Sequence, residues 1–183
     1  MHRLLRAFCL LAVVVAAPAL AATPDEQSKV ALNAKELRWV IGPPSLPQGA
    51  RIAVLYGDPA SAAPYVMRIK TPAGFKWRSH WHSTGQAVTV LSGAVYVGYG
   101  DRWDDRTTEV LRPGGFHFLP AHTHRYLYTK SATIFEVQGQ GPFDVNYVNP
   151  EDDPAKWAPG KKYYFPSQFE LHAQPPGDLP PTF

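Results

Sequence analysis

Three side chains with metal-binding or hydrogen-bonding chemistry stand close together in the middle of the sequence: His80, His82 and Gln86. On a β-strand, residues two apart point to the same face, with Cα atoms roughly 6–7 Å apart. Two imidazoles at that spacing can converge on one metal ion, and the side-chain oxygen of Gln86 would complete the set. The same spacing also fits two half-exposed surface histidines, so the pair by itself does not decide between these interpretations.

A second window rich in polar rings follows two glycines, over residues 114–126. Its candidate functional residues are His122, His124, Arg125 and Tyr126. His117 lies between Phe116 and Phe118, so on a strand it faces opposite to them. We expect these two phenylalanines to be core residues. Pro120 predicts a turn, and His122 and His124 lie in that turn or just after it.

These two windows carry a resemblance. The first fits the cupin motif G-x5-H-x-H-x3,4-E-x6-G from Gly74 to Gly93, with Gln86 in place of the glutamate. The second fits the start of the other cupin motif, G-x5-P-x-G-x2-H, with Gly114 and Pro120. Over roughly residues 35–155 the chain resembles small exported single-domain cupins of the RmlC-like superfamily. The resemblance implies an all-β fold, the double-stranded β-helix or jelly-roll barrel, usually dimeric, with an interior metal held by three histidines and one glutamate.

The second window departs from the cupin pattern in its register. His122 stands where the motif has glycine, Arg125 stands at the third ligand position, and His124 comes one residue early. A shift of one residue on a strand turns a side chain to the other face. If the turn after Pro120 is tighter than usual or bulged, His124 enters the barrel. If the register is strict, Arg125 enters instead, and both outcomes remain open from the sequence.

The first hypothesis is a metal-binding cupin with oxygenase- or isomerase-type chemistry on a small molecule. Its ligands would be His80, His82, Gln86 and His124, and the sequence leaves the catalytic residues unknown. The metal would be a divalent transition ion: Cu, Zn, Ni, Fe or Mn. Without the glutamate, the nitrogen-preferring ions Cu²⁺, Zn²⁺ and Ni²⁺ are relatively favoured.

The alternative hypothesis is a non-catalytic cupin that binds a small anion. In it Arg125 replaces the third ligand histidine, and His122 and Tyr126 contribute to the ligand site. A guanidinium about 5 Å from a dication would cost several kcal/mol, whereas it grips carboxylates and phosphates with two parallel hydrogen bonds. A third hypothesis, a structural or partner-binding protein, has no specific support in the sequence.

The elements that must position these residues are mostly strands. One helix is predicted over Thr23–Val40, stopped by Gly42 and two prolines. After it, short apolar segments cut by turn residues predict a barrel or sandwich. The predicted strands are Arg51–Tyr56, Tyr65–Lys70, Ala87–Leu91, Ala94–Tyr99, Thr107–Leu111, Gly115–Leu119, Tyr126–Thr129, Thr133–Gln138 and Phe143–Val148. The helical arm is assigned to residues 22–42, the cupin barrel to 43–150, and a loop with a Pro-rich tail to 151–183.

The first 21 residues have the layout of a signal peptide. Arg3 and Arg6 precede an apolar run, and small residues at Ala19 and Ala21 form an A-x-A cleavage site. Cleavage after Ala21 predicts a periplasmic or secreted protein that has left the membrane. The only cysteine of the sequence, Cys9, would be removed with this segment, so the mature chain has no thiol for a disulfide or thiolate site.

Composition excludes some partner classes. The 183 residues are 45% hydrophobic and 18% charged, which is typical of a globular domain. Without the two signal-peptide arginines, 16 Lys+Arg stand against 15 Asp+Glu, a net charge of +1. A nucleic-acid footprint needs a dense basic stripe, and the sequence has none. Nucleic acid is therefore not an expected partner. The candidate site predicts a small-molecule ligand, and the resemblance to cupins implies a second copy of the chain in a homodimer.

Overall fold

The structure, a computed structural model, describes residues 31–157 and 163–173. Within these residues the chain forms eleven strands, one short α-helix and several 3-10 turns. The strands are β1 (Val40–Ile41), β2 (Arg51–Tyr56), β3 (Pro64–Thr71), β4 (Lys76–Trp81), β5 (Gln86–Ser92), β6 (Val95–Tyr99), β7 (Glu109–Leu111), β8 (Phe116–Leu119), β9 (Arg125–Tyr128), β10 (Thr133–Gln140) and β11 (Asn146–Tyr147), and the helix α1 is Gln168–Ala173.

The strands form two antiparallel sheets. One has six strands in the order β1-β2-β3-β10-β5-β8, and the other has five in the order β11-β4-β9-β6-β7. Non-consecutive strands are neighbours in both sheets, as in a jelly roll. The all-β barrel predicted from the sequence is confirmed. Among the described residues, no helix is long and apolar enough to cross a lipid bilayer.

The alternation of side chains along the strands builds the core. On β3, Tyr65, Met67 and Ile69 are buried, whereas Arg68 and Lys70 point away from the core. This period of two is what an extended strand with one buried face requires. Apolar residues of both sheets join in one hydrophobic cluster, so the two sheets share a single core.

Every strand predicted from the sequence overlaps a strand of the structure, but two predicted strands are shortened. Thr107–Leu111 begins in a 3-10 turn, and only Glu109–Leu111 pairs as β7. Phe143–Val148 pairs only at Asn146–Tyr147, against β4. Phe143 lies instead among aromatic rings inside the barrel, 6.2 Å from the ring of Tyr65.

The predicted N-terminal helix does not extend to Val40. Residues 23–30 lie outside the described residues, as does the predicted signal peptide. From residue 31 onward the helical element is one 3-10 turn, Ala34–Glu36. Val40 is buried and pairs with Ile52 as part of β1. Burial of the Val40 side chain in the core is more favourable than one more turn of a helix, because Gly42 and the following prolines would end that helix at once.

Within the described residues 163–173, the segment predicted as part of a loop and tail over 151–183 contains a helix. Gln168–Ala173 form α1, whose Leu171 is fully buried in the core. The side chain of Gln168 donates to the carbonyl oxygen of Arg38 and accepts from its backbone N–H, at 2.9 and 2.8 Å. These contacts join residues 130 positions apart, so no local sequence pattern predicts them.

Candidate functional site

Two histidines, a glutamine and an arginine are among the polar side chains buried inside the barrel, where apolar residues are the rule. His80 is 0% exposed, His82 and Gln86 are each 2% exposed, and Arg125 is 4% exposed. His80 belongs to β4 and His82 follows it directly, while Gln86 and Arg125 begin β5 and β9. The two imidazole rings lie 5.3 Å apart and nearly perpendicular. They therefore lie together in the interior, which is one of the two arrangements that their spacing allows.

The register of β9 decides which residue of the second window enters the barrel. β9 pairs with β6 without a shift, and Arg125 lies opposite Tyr99. Arg125 and Leu127 are consequently buried on the inner face. The irregularity occurs in β4, where the pairing with β9 shifts between Trp77 and His80. The strict-register outcome is the one that the structure shows.

His122 preserves this register by taking the place of the glycine. It adopts a left-handed backbone with φ of 61°, which is uncommon for residues other than glycine. Its N–H donates to the carbonyl oxygen of His82 at 2.9 Å, and its ring lies 4.8 Å from that of Trp81. The turn keeps its full length, so His124 falls one residue before the inward position.

Three predicted site residues lie away from the barrel interior. The expectation that His124 becomes a third metal ligand is corrected, because its 39% exposed ring faces outward and pairs with Asp101 at 2.5 Å. His122 is exposed on its turn. Tyr126 is buried, but its hydroxyl donates to the carbonyl oxygen of Asp104 and accepts from its N–H, at 2.8 and 3.1 Å. Neither side chain reaches the barrel interior, and the ligand-site roles of His122 and Tyr126 stay predictions.

A chain of hydrogen bonds fixes the amide of Gln86. Nη2 of Arg125 donates to Oε1 of Gln86 at 3.0 Å, and Nε2 of Gln86 faces the hydroxyl of Tyr65 at 3.1 Å. Because a guanidinium only donates, the amide oxygen must face Arg125. Burial raises the pKa of Tyr65, so its hydroxyl stays protonated. The Gln86 oxygen is thus committed to Arg125.

Arg125 brings a positive charge into the barrel without a carboxylate partner. Besides Gln86, it reaches the carbonyl oxygen of Thr123 at 3.5 Å, and it belongs to none of the ion pairs in the described part of the chain. Burial lowers its pKa to about 10, which still leaves the guanidinium charged at neutral pH. A buried charge of this kind is costly unless a counter-charge pairs with it.

The buried histidines are neutral, and their partners fix the tautomers. Nδ1 of His80 lies 2.7 Å from the carbonyl oxygen of Arg78, and Nδ1 of His82 bonds that of Asp144. A carbonyl oxygen only accepts, so each Nδ1 carries the hydrogen and each Nε2 presents a lone pair. Both Nε2 atoms are buried without a hydrogen-bond partner among the described residues. Burial and the charge of Arg125 lower the pKa of His82 to about 3, and that of His80 well below its usual value.

These groups border a small cavity. The cavity has a volume of about 20 Å³, which is enough for one or two water molecules. The polar part of its wall consists of His82, Gln86, His117 and Arg125. The rest of the wall is apolar and includes Phe143. His80 lies behind this wall, stacked on the ring of Trp77 at 4.2 Å.

His117 is the cavity residue to which the sequence assigned no role. Phe116 and Phe118 are 59% and 60% exposed, so the expectation that they are core residues is wrong. They lie on β8, at the edge of the six-stranded sheet, and face outward. Alternation then turns His117 inward, where its Nδ1 is buried without a partner among the described residues. Burial and the charge of Arg125 lower its pKa to about 4.

A comparison with protein families identifies the chain. Residues 20–146, more than half of the sequence, match the family described as "Domain of unknown function (DUF4437)". The chain belongs to the DUF4437 family. A search of curated proteins gave no match.

Solved structures similar to this DUF4437 protein include some that are described as a cupin superfamily protein and an RmlC-like cupin. A candidate acetylacetone dioxygenase from Methylibium petroleiphilum PM1 is 16% identical with a TM-score of 0.52, over 69% of this chain and 85% of that chain. The DMSP lyase DddQ from Ruegeria pomeroyi DSS-3 is 18% identical with a TM-score of 0.50, over 63% of this chain and 62% of that chain. At these identities the likeness shows the fold alone, and it confirms the single-domain cupin barrel.

The cupin fold implies a metal in the barrel, but the side chains of this DUF4437 protein do not fit one. The described residues include no group of three or more His, Cys, Asp or Glu side chains placed to hold an ion. His80 and His82 offer two lone pairs, but His124 lies outside and the Gln86 oxygen is taken. Arg125 occupies the third ligand position with a positive charge, which repels a dication by several kcal/mol at about 5 Å.

The neutral buried histidines predict a loss of stability in mild acid. The unfolded chain takes up protons near pH 6.5, whereas the folded pKa values of His82 and His117 are lowered to about 3 and about 4. The stabilisation is therefore fully present above pH 6.5 and is lost as the pH falls towards these values. Each histidine contributes a slope of up to about 1.4 kcal/mol per pH unit. Denaturant unfolding at pH 7, 6 and 5 in buffers without small anions measures this loss.

A matched pair of variants checks its origin. His82→Phe should reduce the slope of the free energy of unfolding between pH 7 and 5 by the share of one histidine and leave that of His117. His122→Asn should leave it unchanged, because His122 is exposed and asparagine tolerates the left-handed backbone. Equal stability of the wild-type protein at pH 7 and pH 5 would contradict the neutral, buried state of these rings.

Proposed function

We propose that the barrel of this DUF4437 protein binds a small monoanion, and that Arg125 recognises its charge. The observation that carries the proposal is a buried guanidinium, 4% exposed, that borders a cavity and has no carboxylate partner among the described residues. A bound anion would supply the missing counter-charge. Arginine suits this role because its planar N–H groups bind carboxylates and oxyanions in pairs.

The cavity supports a ligand of this size and charge. Arg125 has five N–H donors, and within the described residues only Gln86 and Thr123 accept from it. The neighbouring histidines are neutral at pH 7, so the wall carries one positive charge and matches one negative charge. The small volume favours an anion of a few heavy atoms, such as formate or acetate.

Thermal unfolding with added anions tests the proposal. Sodium formate and sodium acetate are titrated at constant ionic strength, balanced with a bulky sulfonate that does not fit the cavity. At ten times the dissociation constant, the expected stabilisation is about 1.4 kcal/mol, which raises Tm by about 3–5 °C for a domain of this size. Arg125→Met should lose this response, and Arg51→Met, a change of an exposed arginine, should keep it.

Two results would overturn the proposal. The first is equal Tm values with formate, acetate and the bulky sulfonate, which would mean that water alone satisfies the polar wall. The second is a stoichiometric transition metal, bound through His80 and His82, in wild-type protein purified without a chelator. That result would restore the alternative of a metal-dependent oxygenase or isomerase.

We propose that the protein meets its ligand outside the cytoplasm. The support is the signal-peptide layout of residues 1–21, with cleavage after Ala21.

A homodimer also stays a prediction, and the exposed Phe116 and Phe118 on the edge strand β8 supply apolar surface of the kind that an interface would use.

A further inference from the structure

The polar wall of the cavity displays two opposite hydrogen-bonding characters. Arg125 offers N–H donors that have no acceptor among the described residues. His82 offers the reverse, a lone pair on Nε2 that is buried and meets no donor in the described part of the chain. A ligand with anionic oxygens alone would satisfy Arg125 and leave His82 unpaired.

The hydrogen-bonding character of His82 is fixed by its surroundings. Its Nδ1 bonds the carbonyl oxygen of Asp144 and must carry the hydrogen. Asp144 is held in turn, because its carboxylate accepts from the backbone N–H of Ser83 at 2.9 Å and from the side-chain amide of Asn146 at 2.7 Å. The ring therefore keeps Nε2, on its opposite side, as an acceptor.

We infer that the anion bound in this cavity carries its own O–H donor: it is a small acidic oxyanion or hydroxycarboxylate, whose anionic oxygens face Arg125 and whose hydroxyl donates to Nε2 of His82. The inference rests on the proposed anion site and adds the chemical class of its ligand. Gln86 does not compete for this hydroxyl, because its oxygen already accepts from Arg125. Within the described residues, His117 has no partner that fixes its tautomer, so it adapts to either end of the ligand.

Two pairs of matched anions isolate the contribution of the hydroxyl. Hydrogen carbonate and acetate have the same charge and nearly the same shape, and they differ by an O–H in place of a methyl group. Glycolate and propionate form a second pair with the same exchange one atom further out. The cavity wall is largely apolar, so contact area alone would favour the methyl member of each pair. We expect the hydroxyl member of at least one pair to bind threefold to tenfold more tightly, which is the range for one additional hydrogen bond.

Dissociation constants are measured from Tm titrations of the full chain at pH 8, in sealed cells for hydrogen carbonate. In His82→Phe, the preference for the hydroxyl member should disappear while acetate still binds. In Arg51→Met, a change of an exposed arginine outside the cavity, the preference should remain. If either variant fails to fold, the comparison within each anion pair in the wild-type protein still decides.

The outcomes separate this inference from the proposed function. If acetate stabilises the protein and neither hydroxyl member binds more tightly than its methyl partner, the anion site stands and the hydroxyl inference is overturned. If none of the four anions changes Tm, both fail. A hydroxyl preference that persists in His82→Phe would also overturn the assignment of His82 as the acceptor.

Discussion

Replacing Arg125 with methionine is expected to raise the free energy of unfolding of the ligand-free protein by about 1–3 kcal/mol. The variant removes a charge that is buried without a carboxylate partner among the described residues, and it keeps an unbranched side chain of similar length. Burial lowers the pKa of this arginine to about 10, which corresponds to a penalty of about 3 kcal/mol on the charged form. Most residues that touch the core lose stability when replaced, so the direction of this change is diagnostic.

One contact opposes the gain. The Oε1 atom of Gln86 accepts from Arg125, and in the variant it is left without that donor. An unsatisfied buried acceptor costs about 1–3 kcal/mol, which reduces the expected gain and does not reverse it if a water enters the vacated space. The side chain of Gln86 remains anchored at its other end by Tyr65.

Denaturant unfolding in the bulky sulfonate buffer measures this change, first without and then with saturating formate. Without formate, Arg125→Met should be more stable than the wild type. With formate the difference should narrow or change sign, because only the wild-type protein gains from binding. The exposed Arg51→Met should stay within about 0.5 kcal/mol of the wild type under both conditions. A ligand-free Arg125→Met that is less stable by more than 1 kcal/mol would show that the guanidinium is already paired.

Residues that serve binding at a cost in stability do not follow the apolar pattern of a strand, and this limits which parts of the structure the sequence predicts. Strands with an alternating apolar face, such as β3, can be predicted from the sequence because burial and periodicity agree. The strand β4 could not be predicted in this way, because the polar residue His80 occupies an inward position and the pairing with β9 shifts after Trp77. The site residues break the pattern of the strand that holds them, as functional residues commonly do.

The candidate site could be predicted only up to a choice. The spacing of His80 and His82 puts both rings on one face of a strand, and the resemblance to the cupin motif places that face inside the barrel. The motif aligns Arg125 or His124 with the third position. The sequence cannot decide between them, because the decision depends on whether His122 adopts the left-handed backbone. The pairing of Arg125 with Gln86, 39 residues apart, follows from that choice.

Replacing Gly98 with alanine is expected to destabilise the protein by about 3 kcal/mol or more. Gly98 lies on β6, opposite Tyr126 of β9, and the tyrosine ring crosses directly over it. A Cβ atom at this position would lie closer to the ring and hydroxyl of Tyr126 than atoms can approach. The ring cannot swing aside, since its hydroxyl bonds both backbone groups of Asp104 and its other side contacts Trp103, with ring centroids 5.0 Å apart.

Denaturant unfolding of two alanine variants checks this expectation. Gly85→Ala serves as the control, because its Cβ would meet the end of the exposed Phe118 ring at 3.0 Å, and that ring is free to move. In a Tyr126→Ala background, Gly98→Ala should cost less than about 1 kcal/mol, so the two changes are strongly coupled. A loss below 1 kcal/mol for Gly98→Ala in the wild-type background would sink the idea that Tyr126 is locked against β6. A locked Tyr126 is a structural residue on the outer face of the barrel, and Tyr126→Phe should therefore leave the response to formate intact.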